Sequence, residues 1–232
     1  MKQPKPLPLY MSVREYTWGI RYLLFQLFFL PSLLSLVLRI IWPDCPANVL
    51  NFVFYLINFA VLVPLLHNYM AQAVGHFPKN ALKIIMTALV GFAVYYISTW
   101  ALSLLIQHLM PEFYNVNDNN IATTAQGSLL LTAMGTVVFV PTAEELMYRA
   151  LVYGLCRKRS RILAFAVSVV LFASIHVTGY IGHYEPLHLL LCFVQYIPAG
   201  LVLAGAYEYS GNIFAPILIH TTVNIIGILS MR

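Results

Sequence analysis

Charge is what this sequence has least of. Lys, Arg, Asp and Glu together make 9% of its 232 residues, against about 25% in a soluble globular domain. With 60% hydrophobic residues, that scarcity excludes an ordinary soluble domain and points to a polytopic membrane protein. Cysteine is also scarce. Cys45, Cys156 and Cys192 stand far apart with no CxxC unit, which argues against a disulfide framework and against a Cys-rich metal site. No internal repeat stands out. No cleavable signal is expected, since the first apolar stretch is too long for a signal core and lacks an A-x-A site. Several protease signatures are missing too. There is no His-Glu-x-x-His, the helix-borne zinc pair of many metalloproteases. There is no Gly-x-Ser-x-Gly, the mark of a serine nucleophile, and no Gly-x-Gly-Asp.

The few charges that exist are unevenly placed. Glu144, Glu145 and Arg149 fall inside the long apolar segment 128–155. A charged side chain at the centre of a membrane helix costs roughly 2.5–3.5 kcal/mol on insertion scales, so such a cluster marks a functional site by default. Successive helical residues diverge by about 100°, so the two adjacent glutamates face different directions. Glu145 and Arg149 are four apart and share a face in the favourable acid-then-base order. Arg149 is therefore expected to hold Glu145, leaving Glu144 to point elsewhere. The structural alternative is a single buried ion triad that fixes helix packing, a weak route to stability.

The expected fold is all-α: a transmembrane helical bundle of about seven spans, six to eight, with an intramembrane polar cavity. The spans are read at about 18–42, 47–66, 81–109, 128–155, 162–178, 187–207 and 213–231. Residues 1–127 carry spans one to three and a polar loop, 111–126, with Glu112, Asp118 and four asparagines. Residues 128–232 carry spans four to seven as a catalytic core of the same bundle. A connector with His67, His76, Pro78, Lys79 and Lys83 is expected between spans two and three. Gly200 and Ala204 give span six a small-xxx-small face for close helix approach. The net charge of +5 comes from Lys and Arg bunched between spans: Lys2, Lys5 and Arg14, then Lys79 and Lys83, then Arg157 to Arg161, with Arg232 an exception. That pattern sets membrane orientation rather than nucleic-acid binding, and it places the N-terminus in the cytoplasm.

Two later spans add polar groups. Phe172 and His176 close span five, and His220 and Asn224 lie four apart on one face of span seven. At about 1.5 Å per residue from the cytoplasmic ends, Glu144, His176, His220 and Asn224 fall at about 18, 22, 13 and 19 Å depth. A carboxylate, two imidazoles and a carboxamide thus come to one level. Two hydrolytic routes are open. Glu144, His176 and His220 can bind a divalent metal such as zinc, with a position left for water. Alternatively Glu144 acts directly as base on a water held by His176, with His220 and Asn224 donating to the oxyanion. His183, Glu185 and His188 form a further polar cluster that could take metal adventitiously. His67, His76 and His108 sit near span ends, where amphipathic rings are common.

Glu-Glu-x-x-x-Arg at 144–149, Phe-x-x-x-His at 172–176 and His-x-x-x-Asn at 220–224 together resemble the three motifs of the CPBP family. That family groups type II CAAX prenyl endopeptidases with bacteriocin-processing and bacteriocin-immunity membrane proteins. The approach to the last histidine, Gly211-Asn212-Ile213 through Pro216 to His220, is also similar. The resemblance implies an intramembrane, CAAX-protease-like endopeptidase. Glu144 would be the catalytic base, with His176 and His220 as metal ligands or water-holders. Glu145, Arg149 and Asn224 would be in support. The expected substrate is a peptide, or a membrane-associated or lipid-anchored protein, cut near the cytoplasmic face of a prokaryotic cell membrane. The expected partners are that substrate and lipid, without nucleic acid. The competing expectation is a catalytically silent membrane scaffold or bacteriocin-immunity protein of the same fold.

Overall fold

The computed structural model describes residues 7–231. Lys2, Lys5 and Arg232, which enter the orientation argument, lie outside the described residues. Within them the backbone is helical, and the sole β-bridge joins Ile181 and Tyr184.

Helices α1 (Val13–Phe28) and α2 (Leu30–Ile41) form one apolar pair bent by 58°. The bend falls just before Pro31, whose ring favours a new helix start over continuation of the old one. Ser12 and Glu15 close a reciprocal capping box at the start of α1. The buried Glu15 carboxylate also accepts from the Tyr69 backbone N–H at 3.0 Å, which docks α1 onto the interruption between two helices at Leu66. Helix α3 is Ala47–Leu65. Helix α4, His67–Leu109, runs 43 residues with a kink at Asn80, two residues after Pro78. The expected connector is therefore helical. The proline bends the chain, and Asn80 Nδ2 donates to the His76 carbonyl at 3.2 Å beside the bend.

The expected polar loop is also largely helix. Asn115 caps α5 (Val116–Gly127) by accepting from the backbone N–H groups of Asn117 and Asp118. Its low hydropathy hid it from an argument based on apolar periodicity. The Glu-Glu helix, α6, spans Leu129–Arg157. It is followed by α7 (Arg161–Ile175), a short 3₁₀ turn at Thr178–Tyr180, α8 (Pro186–Ser210) and α9 (Phe214–Ser230). Five helices are long and apolar enough to cross a membrane. Counting the bent α1–α2 pair and the shorter α9 as further passes gives the seven expected.

The core sits at the basic end. Leu66, Tyr69, Leu151, Tyr153, Leu203 and Tyr207 are fully buried there, with the Tyr69 and Tyr207 hydroxyls 2.9 Å apart. Glu208 closes the same end, accepting from Tyr153 at 2.7 Å and pairing with Arg157 at 2.7 Å. The asparagine-bearing α5 lies at the opposite end.

The small face of α8 works as expected. A Cβ built on Gly200 would lie 3.0 Å from Val169 Cγ1 and 3.3 Å from the Val169 backbone. Gly200→Ala therefore forces α7 and α8 apart and should cost about 1–3 kcal/mol in thermal or denaturant unfolding in detergent. Gly205→Ala, which meets nothing within 4 Å, should leave stability unchanged or raised.

Candidate active site

The centre of α6 is not a regular α-helix. Two π-helical stretches, Met134–Phe139 and Leu146–Tyr153, flank the turn that carries Glu144 and Glu145. Wide turns of this kind are rare and gather at functional sites. One cause is visible in the sequence. Pro141 has no N–H, so the carbonyls four and five residues before it lose a helical donor. Those carbonyls belong to Val137 and Thr136, and α9 supplies replacements. Asn224 Nδ2 donates to Thr136 O at 2.7 Å, and Thr221 Oγ1 donates to Val137 O at 3.3 Å. Ser168 on α7 serves the second π stretch in the same way, donating to Tyr148 O at 2.8 Å.

The glutamates divide as their spacing predicts. Arg149 donates to Glu145 Oε1 at 3.0 Å, with both side chains wholly buried. Arg149 also donates to the Gly200 carbonyl at 3.4 Å and lies over the Phe172 ring at 4.3 Å. A partner not read from the sequence joins them. His220 Nδ1 lies 2.9 Å from the same Glu145 oxygen. Glu145 thus ties α6 to α9 as well as neutralising Arg149.

Glu144 makes the contrast. Its Oε2 is buried without a protein partner, and it lines a cavity of about 870 Å³ together with His176, His220 and Asn224. His176 ends α7, its Nδ1 held by the Phe172 carbonyl at 2.7 Å. That is the reason for the Phe-x-x-x-His spacing: the imidazole binds the carbonyl one turn back. In both imidazoles Nδ1 is engaged, and Nε2 is the nitrogen left for the cavity. Asn224 lines the cavity, and one of its two amide N–H groups is given to the Thr136 carbonyl. It therefore holds the helix with that donor and has a second one left over.

The sequence reading missed one group altogether. Tyr196 stacks on His176, with ring centroids 4.0 Å apart. Its hydroxyl donates to Asp118 Oδ1 at 3.0 Å and accepts from Asn117 Nδ2 at 3.1 Å. Helix α5 is thereby fastened over the site. The signal was the asparagine cluster in a chain otherwise poor in polar residues. The cavity reaches the α5 end, lined by Asn115, Asn117 and Tyr180, and not the basic end, which the tyrosine-rich core closes.

The donor chemistry of Glu144, His176 and His220 suits a divalent ion, because a ligating imidazole normally donates its other nitrogen to a carbonyl or carboxylate. Their grouping does not. Among the described residues no three His, Cys, Asp or Glu side chains are gathered to hold a metal. The same holds for His183, Glu185 and His188; His188 Nε2 instead meets the Tyr114 carbonyl at 2.9 Å.

Comparison with known proteins bears on the same stretch. The sequence model described as type II CAAX prenyl endopeptidase Rce1-like matches residues 126–226. Over this segment, less than half of the chain, the sequence is similar to the Rce1-like family. The segment contains α6 and runs on through His220 and Asn224, so Glu144, Glu145, Arg149, His176 and Tyr196 fall within it, whereas Asn115, Asn117 and Asp118 do not. Two curated proteins of Lactococcus lactis subsp. lactis (strain IL1403) are similar over 90 residues. UPF0177 protein YxdF is 30% identical, covering 39% of this chain and 44% of its own. UPF0177 protein YbdJ is 36% identical, covering 39% of this chain and 34% of its own. The chain spans less than half the length of these relatives. No solved structure matches.

The pairing of Asn224 with Pro141 is testable. Asn224→Ala should orphan the Thr136 carbonyl and cost about 1–3 kcal/mol. In a Pro141→Ala background, where the backbone regains its donor, the same change should cost at least about 0.5 kcal/mol less. Equal losses in both backgrounds, measured by thermal unfolding, would contradict the account.

Proposed function

We propose that the Rce1-like segment is the catalytic part of an intramembrane endopeptidase, and that Glu144 is its general base. The observation that supports this most is the division between adjacent carboxylates. Glu145 is held by Arg149 and His220, while Glu144 has a buried oxygen without a protein partner, in a cavity shared with two imidazoles. The substrate is a peptide or a membrane-associated protein.

The chemistry runs on protein groups and water. His176 Nδ1–H donates a hydrogen bond to the Phe172 carbonyl, and in the neutral ring Nε2 is then the acceptor that orients a water. Glu144 removes a proton from that water as its oxygen attacks the carbonyl carbon of the scissile bond. His220 meets the Glu145 carboxylate through Nδ1, and its imidazolium form carries a second N–H at Nε2. Its Nε2–H then donates to the oxyanion of the tetrahedral intermediate. As the C–N bond breaks, Glu144 returns its proton to the leaving amine. Arg149 pairs with Glu145 and holds it in place, and Asn224 keeps α6 against α9. The clustered Lys and Arg of the basic end argue for a cytoplasmic N-terminus.

Glu144→Gln should lower peptide cleavage by about 10²–10⁴-fold, the usual contribution of a general base. It should do so with normal expression and membrane insertion, read by mass spectrometry of products from purified protein. Wild-type cleavage should persist within twofold in the presence of a metal chelator. Full cleavage by Glu144→Gln would overturn the assignment of the base. Loss of cleavage on chelation, restored by added zinc, would overturn the metal-free route alone.

A further inference from the structure

His176 is held through Nδ1, by the Phe172 carbonyl at 2.7 Å, while Nε2 is the atom that orients the attacking water. A ring held at one nitrogen can still pivot about that hydrogen bond, and the pivot sweeps the other nitrogen through the cavity. His176 is also the C-cap of α7, so the chain leaves the regular helix at this residue. A second contact is needed to fix the plane of the ring.

Tyr196, on α8, supplies it. The two rings are stacked, with centroids 4.0 Å apart and planes 24° from parallel. Phe172 lies 4.8 Å from the same imidazole but is tilted by 59°, so the flat face is the tyrosine's. Tyr196 is in turn anchored by residues that lie outside the Rce1-like segment. Its hydroxyl lies 3.0 Å from Asp118 Oδ1, 3.1 Å from Asn117 Nδ2 and 3.3 Å from Asn115 Oδ1. The one hydroxyl proton goes to the carboxylate, the stronger acceptor, and the Asn117 amide donates to the hydroxyl oxygen. That oxygen lies on the long axis of the phenol, so tethering it fixes where the axis points and keeps the ring over the imidazole. Asn115 sets the other side of the clasp. Its Oδ1 caps α5, and its Nδ2 donates to Gln195 Oε1, the neighbour of Tyr196, at 2.8 Å. One residue thus starts the helix and seats its first turn against the tyrosine.

We propose that Tyr196 is a positioning residue that sets the plane of the His176 imidazole, and that Asp118 acts on the same imidazole through the Tyr196 hydroxyl. The inference rests on the peptidase reading and extends its site to α5, a helix that carries none of the three motifs.

The imidazole can be read directly, without cleavage. In the full chain in detergent, with isotope-labelled histidine, the His176 ring protons are identified by their loss in His176→Ala. The ring current of a stacked phenol displaces them upfield. That displacement should be largest in the wild type, smaller in Tyr196→Phe and in Asp118→Ala, which loosen the ring without removing it, and absent in Tyr196→Leu. Adding Asp118→Ala to Tyr196→Phe should change nothing further, because the hydroxyl it acts through is already gone. For peptide cleavage, kcat should follow the same order. It should fall at least about tenfold in Tyr196→Leu with KM within about threefold, since misplacing a catalytic group by about 1 Å can cost about 10²-fold. An unmoved His176 signal in folded Tyr196→Leu, a change in KM alone, or an effect of Asp118→Ala that persists in Tyr196→Phe overturns the proposal. If Tyr196→Leu does not fold, Asp118, which is exposed, carries the test: an Asp118→Ala signal identical to that of the wild type overturns the proposal equally. A wild type that cuts no peptide yet shows the stated order of ring shifts would overturn the peptidase reading and leave the positioning of His176 standing.

Discussion

The structure depends on one buried ion pair. Arg149 and Glu145 are both fully excluded from solvent, in a part of the chain where an unpaired charge of either sign would be strongly unfavourable. The pair alone is a weak source of stability, since desolvation offsets most of its attraction. Its importance lies in what it orders. Glu145 Oε1 also meets His220 on α9, and Arg149 reaches the Gly200 carbonyl on α8 and the Phe172 ring on α7. One pair thus fixes three other helices around α6. Gly200 allows this convergence, because its missing side chain lets α7 and α8 close to contact at Val169.

The second constraint is the proline of α6. Pro141 removes a backbone donor three residues before Glu144, and in hydrocarbon a freed carbonyl must be satisfied by a neighbour. Asn224 and Thr221 do this from α9. The irregular backbone that presents Glu144 is therefore part of the contact between two helices. The last motif, His-x-x-x-Asn, has two structural tasks one turn apart. Its histidine meets the Glu145 carboxylate and its asparagine meets a carbonyl of the same helix.

Much of this was legible in the sequence. The scarcity of charge identified a membrane bundle, and the spacing of Glu145 and Arg149 identified their pairing and left Glu144 apart. The three motifs located the residues that line the cavity. What the sequence concealed has physical reasons. Hydropathy sees apolar periodicity, so α5, with its asparagines and threonines, read as loop, and the helical stretch before Asn80 read as connector. The tie between His220 and Glu145 crosses 75 residues and has no local signature. The stacking of Tyr196 on His176 is likewise invisible among many membrane tyrosines. The direction in which the cavity opens depends on which end the large side chains fill. Tyr69, Tyr153 and Tyr207 fill the basic end, and no periodicity records that.

The central claim is that neighbouring carboxylates have separate tasks, Glu145 holding the frame and Glu144 left for chemistry. Thermal unfolding of Glu145→Gln and Glu144→Gln, compared in the same detergent, tests this most directly. The account predicts a loss of about 3–5 kcal/mol for Glu145→Gln, which leaves Arg149 buried without its counter-charge, and unchanged or increased stability for Glu144→Gln. Equal losses in the two variants, or no loss in Glu145→Gln, would contradict it.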